Sequence, residues 1–312
     1  MSNHQQQLHA TFKSEDTEEW LDKVFTRPVG LLWARLFNHF DVHPNTVTIL
    51  SIVLGVAAGV MFSFTDLTHN IIGVCLLVWA NIYDSTDGQM ARMTGRKTLI
   101  GRILDGVAGD FWFITIYISL IIRLWNMNIP FTDFTFQWGA LLLCAVAGLG
   151  CHGPQCNLAD YYRNIHLFFV KGKKGSELDT YEQQETIYQQ TTWSDGFIVK
   201  IFRWGYRNYT RAQEKATPQF QVLMATLRKR YGDNIPDEFR QEFRKRSLPL
   251  MKYTNILTFN TRAIALYVSC LLNMPYLYPL FEITVLTSLY FYMKRKHEKM
   301  CRQMNGQLLS GY

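Results

Sequence analysis

The sequence predicts an all-α integral membrane protein with six transmembrane helices and an N-terminal interfacial helix. Three observations carry this. Apolar residues make up 48% of the 312 residues while the mean hydropathy is close to zero, so apolar runs must be segregated from polar stretches. Six such runs approach the roughly 20 residues that cross a ~30 Å hydrocarbon core. Lys and Arg gather in alternate connections only, as the positive-inside bias requires.

Taken in order, residues 1–16 are polar, rich in Gln and His, and expected to be disordered. Over 17–43, Trp20, Leu21, Val24, Phe25, Val29, Leu31, Leu32, Leu36 and Phe37 recur at helical spacing, interrupted at Arg27-Pro28. Moderate hydrophobicity with aromatic and basic residues suits a helix lying in the membrane interface, with a soluble helix packed on the remainder as the competing reading. Pro44 then breaks the chain. Residues 44–165 hold four apolar runs: about 46–64, 71 onward into an acidic stretch, 98–125 and 136–152. The second is long enough to cross only if Asp84, Asp87 and Arg92 share its helix. A polar insert over 166–253 has helix-like pieces at Phe220–Arg230 and Pro236–Arg246 and turn signals at Gly172–Gly175 and Tyr231-Gly232-Asp233. Residues 254–295 carry the last two runs, about 256–272 and 276–293, and 296–312 form a tail.

Basic residues cluster at Arg92, Arg96, Lys97 and Arg102, at Lys171, Lys173 and Lys174, and at Lys294, Arg295, Lys296 and Lys299; the alternate loops at 65–70, 126–135 and 273–275 have none. Both termini and the acidic stretch are therefore expected on the cytoplasmic side. The net charge of +7 then fits anionic lipid and phosphate-bearing substrates, and no nucleic-acid partner is expected. The insert interleaves Trp193, Phe197, Phe202, Trp204, Tyr206 and Tyr209 with Lys200, Arg203, Arg207 and Arg211. RNA binding is one reading of that pattern; an amphipathic element on anionic lipid is preferred, because the insert is tethered beside a bilayer. The six cysteines are scattered and imply neither a disulfide framework nor a zinc site. No short apolar signal segment follows the polar N-terminus.

Chemistry concentrates between Asp84 and Asp110, where four carboxylates sit with Arg92 and Arg102 between apolar runs. An unpaired charge near a bilayer centre costs about 2.5–3.5 kcal/mol on insertion scales, so this cluster calls for a compensating ligand. Asp84 and Asp87 are three residues apart and share a helix face; Asp105 on the next helix can oppose them. Three carboxylates form a hard oxygen set suited to Mg²⁺ or Mn²⁺, able to hold one or two ions and clamp a diphosphate. Gly88 and Gly101 leave room for backbone or ligand, and Arg92 can neutralise phosphate.

The stretch resembles the signature of the CDP-alcohol phosphotransferases, D-x2-D-G-x2-A-R-x8-G-x3-D-x3-D. Asp84, Asp87, Gly88, Ala91, Arg92, Gly101 and Asp105 stand at matching spacings, and Pro44-Asn45-x-x-Thr48 is similar too. The resemblance implies metal ligation by Asp84, Asp87 and Asp105, a cytidine nucleotide site at Gly88, Ala91, Arg92 and Gly101, and a homodimer. It further implies a CDP-linked lipid donor and an alcohol acceptor in a bilayer. The family's last aspartate, its candidate general base, has Gly109 at its position, with Asp110 one residue later. On a regular helix Asp110 is rotated about 140° from Asp105, against about 40° for the expected position. A π-bulge near Gly106–Gly109 would bring Asp110 back as the catalytic residue; otherwise the base is missing and the chemistry differs.

Further polar residues lie at the end of the fourth span (His152, Gln155, Asn157, Asp160 and Arg163) and at the start of the fifth (Asn255, Asn260 and Arg262), and Arg163 and Arg262 are candidates for holding an anionic acceptor. Glu282 is expected to pair with a neighbouring helix. The activity expected is transfer of a substituted phosphate from a CDP-linked lipid to an alcohol, inositol-type among the candidates, with release of CMP. Two alternatives stay open: phosphoinositol transfer from a phospholipid to a ceramide-type lipid, and a non-catalytic protein that binds nucleotide or lipid.

Overall fold

A computed structural model describes residues 14–96 and 98–310. The expectation of a disordered tail falls outside these residues for positions 1–13, as does Lys97 of the basic loop. Apart from one isolated bridge between Asn128 and Thr135, the regular structure described is helical. The chain divides into two units, Met1–His152 with Phe259–Val285, and Gly153–Thr258 with Leu286–Tyr312.

In the first unit a π-turn at Asp22–Thr26 runs into α1, Arg27–His39. Then come α2 (Pro44–Met61), α3 (Leu67–Thr94), α4 (Leu99–Trp125), α5 (Trp138–Ala145) and a π-segment at Val146–His152. After an excursion into the second unit, α11 (Phe259–Leu271), α12 (Leu277–Phe281) and a π-segment beginning at Glu282 complete it. The centre is α2, against which both α3 and α4 pack, while α3 and α4 scarcely touch each other. Its sequence explains this. Ser51, Gly55, Ala58 and Gly59 make one narrow, small-residue face, the kind that lets membrane helices approach closely. A Cβ on Gly55 would lie 2.1 Å from Trp112 Cδ1, so any side chain there would push α4 away. Phe62, Leu77, Trp112, Ile116 and Leu120 fill the core beside it. At the far end of α4, the buried Arg123 guanidinium donates to Asn70 Oδ1 at 2.7 Å, Phe62 O at 3.2 Å, Asn273 Oδ1 at 2.8 Å and Cys270 O at 3.1 Å. That clamp ties together the ends of α2, α3 and α11.

Among the described residues, three helices are long and apolar enough to cross a membrane: Pro44–Met61, Leu99–Trp125 and the continuous run Trp138–Lys171. With the all-helical architecture, these describe an all-α membrane protein. The count is below the six expected, for physical reasons that differ between runs. The second run is one helix with the acidic stretch, so its charges dilute its apolarity. The fifth run is only the 13 residues of α11, or about 20 Å of helix. The sixth is interrupted by the π-segment at Glu282–Leu286 before continuing as α13, Thr287–Leu309.

The second unit comprises α6 (Gly153–Lys171), α7 (Tyr181–Gln190), α8 (Phe197–Ala216), α9 (Pro218–Tyr231), α10 (Asp237–Ile256) and α13. The helix-like pieces read from sequence are α9 and α10, and the glycine turns are left-handed or otherwise positive at Gly172 (φ 74°) and Gly232 (φ 61°). Phe169 and Phe243 stack at 3.8 Å where α6 meets α10. His297 of α13 is buried and stacks on Tyr162 at 3.9 Å.

Candidate active site

The acidic motif is held by three helix ends. Gly95 adopts the left-handed conformation (φ 70°) and stops α3 one residue past Thr94. Thr98 caps α4, its hydroxyl accepting from Gly101 N–H at 2.9 Å. At the start of α2, His43 caps through Nδ1, and Asn45 donates to Thr98 Oγ1 at 3.2 Å. A Cβ on Gly101 would stand 2.6 Å from Asn45 Oδ1, so the glycine is what permits α2 and α4 to meet there. The residues shared with the family signature thus position one another: Asn45 braces the α4 N-terminus, and Thr48 lies against Asp87.

Asp84 and Asp87 lie on one face of α3 as expected, and Asp105 stands on α4. Both helices pack on α2, which brings Asp105 near enough for its charge to act on Asp87. Asp87 is 4% exposed, feels the charges of Asp105 and Arg92, and leaves its Oδ2 buried without a hydrogen-bond partner. Asp84 is half-buried and Asp105 exposed. Among the described residues the three do not converge into a ready-made metal cluster. The donor chemistry still fits a hard divalent cation, since the motif offers only carboxylate oxygens and Asp87 keeps one of its own buried without a partner. Arg92 reaches back over Gly88, where a Cβ would be 3.4 Å from its Nη1, and Ala91 adjoins it on α3. Arg92 feels Asp87, Asp105, Glu18 and Arg27.

Sequence reasoning did not foresee how the N-terminal segment borders this site. Arg27 pairs with Glu18 at 3.2 Å, its carbonyl accepts from Gln89 Nε2 at 3.2 Å, and Gly30 O accepts from buried Thr86. Asn260 donates to Glu19 at 2.7 Å and Asp22 at 3.1 Å, which places it with these acids rather than in a free pocket.

The expectation for Asp110 needs correction. α4 is α-helical from Leu99 to Trp125 without a π-turn, so Asp110 keeps its rotation of about 140° from Asp105. It heads an exposed stripe with Ile114, Ile118 and Ile122, spaced four residues apart. Gly109 takes the position on the Asp105 face, and a Cβ built there meets nothing within 4 Å.

Arg262 also departs from its expected role. It is completely buried and ion-paired with Glu282, itself 0% exposed. Tyr278 donates to the same carboxylate at 2.8 Å, Tyr117 donates to its other oxygen, and His152 Nδ1 lies 3.1 Å from Glu282 and 3.2 Å from Arg262 Nη1. The guanidinium is neutralised and enclosed, so it is not presented to an acceptor. Glu282 pairs with a neighbouring helix, as read from sequence. In the second unit, Arg163 donates to Asn255 Oδ1 at 3.3 Å, Asn157 donates to Tyr209 O, and Asp160 accepts from the Tyr209 hydroxyl.

Residues 41–173 match the family model described as CDP-alcohol phosphatidyltransferase. That segment belongs to the CDP-alcohol phosphatidyltransferases. It takes in α2 to α6 and every residue of the acidic motif. The match covers less than half of the chain, and it points to phosphotransfer in phospholipid synthesis. No curated protein matches the chain.

Proposed function

We propose that this protein transfers a substituted phosphate from a CDP-linked lipid to an alcohol, releasing CMP, at the cytoplasmic face of a membrane that its chain crosses six times. The observation that carries this is Asp87 Oδ2, buried without a partner where the family motif calls for a cation. Asp84, Asp87 and Asp105 would hold Mg²⁺ or Mn²⁺, which would supply charge neutralisation for the donor diphosphate. Gly88, Ala91 and Gly101 line the nucleotide site, and Arg92 orients the nucleotide. The acceptor oxygen bonds to the donor phosphorus, the bond to CMP breaks, and the acceptor proton passes to another carboxylate of the motif rather than to Asp110. Arg163 remains a candidate for an anionic acceptor; Arg262 does not, because Glu282 already satisfies it.

Gly109 favours a second reading. With no carboxylate at that position the chemistry itself would differ, and the alternative is phosphoinositol transfer from a phospholipid to a ceramide-type lipid. Purified protein with Mg²⁺ or Mn²⁺, a CDP-lipid and a panel of alcohols separates the readings. CMP release that is lost in Asp84→Ala and Asp105→Ala supports the first. Headgroup exchange between lipids without CMP supports the second. Metal-dependent nucleotide binding without turnover of any donor would contradict both and leave a binding protein.

A further inference from the structure

The second unit carries an apolar surface that its own packing does not use. α8 is amphipathic, and it turns its aromatic-polar side inward. Tyr206 donates to Asp179 at 3.0 Å and Tyr209 to Asp160 at 3.1 Å, while Thr210 and Gln213 are buried. The outward side presents Phe197 (66% exposed), Ile198 (69%), Ile201 (46%) and Trp204 (53%), with Trp193 (64%) in the preceding turn. Positions 197, 201 and 204 are one helical turn apart, so these side chains form a single stripe. A contiguous patch of this kind marks a surface made to meet something apolar.

The same face continues along α8 as Asn208, Arg211, Ala212 and Lys215 and carries no carboxylate. Lys200 and Arg207 lie on its flank, Lys200 donating to the carbonyls of Tyr188 and Thr191 and Arg207 pairing with Glu185. An apolar, tryptophan-bearing half followed by a cationic half is the composition of a helix lying in a bilayer interface. The cations complement anionic headgroups, each contributing about 1 kcal/mol near a charged leaflet. The unit's first helix, α6, is the second half of the continuous apolar run Trp138–Lys171, so α8 follows a segment long and apolar enough to cross a membrane.

We propose that α8 docks into the headgroup region of the bilayer that anchors the chain, burying Phe197, Ile201 and Trp204 and resting Arg211 and Lys215 on anionic lipid. This rests on the chain being a membrane protein and not on its transferase activity.

The test uses the full-length protein in vesicles of phosphatidylcholine and phosphatidylglycerol doped with a phospholipid bearing a photoactivatable group near the ester. Lipid adducts mapped by mass spectrometry are expected on the peptides covering 193–204 as well as on the apolar helices. The surface variant Phe197→Ser/Ile201→Ser/Trp204→Ser should lose the former and keep the latter. Arg211→Gln/Lys215→Gln should reduce the 193–204 adducts only where phosphatidylglycerol is present. Absence of adducts at 193–204 in the wild type would overturn the proposal. So would crosslinking of this segment to RNA or to a second copy of the chain in place of lipid.

Discussion

The membrane unit holds two charged centres that differ in one respect. Around Glu282 every charge is matched: Arg262, Tyr117, Tyr278 and His152 surround a carboxylate that is 0% exposed. Around Asp87 it is not, and a buried carboxylate oxygen has no partner. A closed, satisfied ion pair in a low-dielectric interior holds helices in register; an open, unsatisfied one leaves free energy for a ligand to supply. Both lie in apolar surroundings and both look alike in sequence, as charges inside apolar runs. What separates them is whether the fold brings the counter-charge.

The difference can be broken from either side. At the open centre, Asp87→Asn or Asp105→Ala should lower CMP release by about 10²–10³-fold or more, the scale of losing a major electrostatic contributor, while thermal stability in detergent stays close to wild type. At the closed centre the expected balance is reversed. Glu282→Ala leaves Arg262 buried and uncompensated, which costs about 3–5 kcal/mol and appears as a large fall in Tm. Arg262→Met/Glu282→Leu should restore most of that loss. A Glu282 variant with normal stability and no activity would show that this centre takes part in the chemistry.

A smaller effect sharpens the edge of the open centre. Removing a general base costs about 10²–10⁴-fold. Asp110→Asn is expected to cost less than about tenfold, since Asp110 lies on the outward stripe of α4; a loss within the general-base range would return it to the reaction. Gly109→Asp, which has room for its Cβ, should raise CMP release if the missing carboxylate limits the rate. Smallest is a pH effect in the second unit. Burial pushes the His297 imidazole below its ordinary value, so the fold favours the neutral ring. The unfolded chain then binds the extra proton, and the contribution is complete above about pH 6.5 and declines as pH falls below it. His297→Phe should remove that slope from a Tm-against-pH series.

Much of this architecture was legible because it is local. Helix faces, caps and the spacing of Asp84, Asp87 and Asp105 follow from periodicity and motif. So do the turns at Gly172 and Gly232 and the helices at 218–231 and 237–256. What was not legible is non-local. The bracing of Thr98 by Asn45, the contact of Asn260 with Glu19 and Asp22, and the Arg123 clamp join residues far apart in sequence. The π-bulge expected near Gly106–Gly109 does not form, yet π-segments occur at 146–152 and 282–286, where His152 and Glu282 join the closed centre. Charge cost in an apolar helix was read correctly as a demand for compensation. For Arg262 the compensation proved internal, and sequence spacing carries no signal that could choose between a protein partner and a ligand. An apolar count carries no signal that one helix ends after 13 residues or that another contains a π-turn.

The most direct test of the open centre needs no substrate. Mn²⁺ titrated into the full-length protein in detergent, followed by its electron paramagnetic resonance signal, should show saturable binding that Asp87→Asn abolishes and Glu282→Gln leaves in any protein that remains folded. Mn²⁺ binding unchanged in Asp87→Asn would contradict the account.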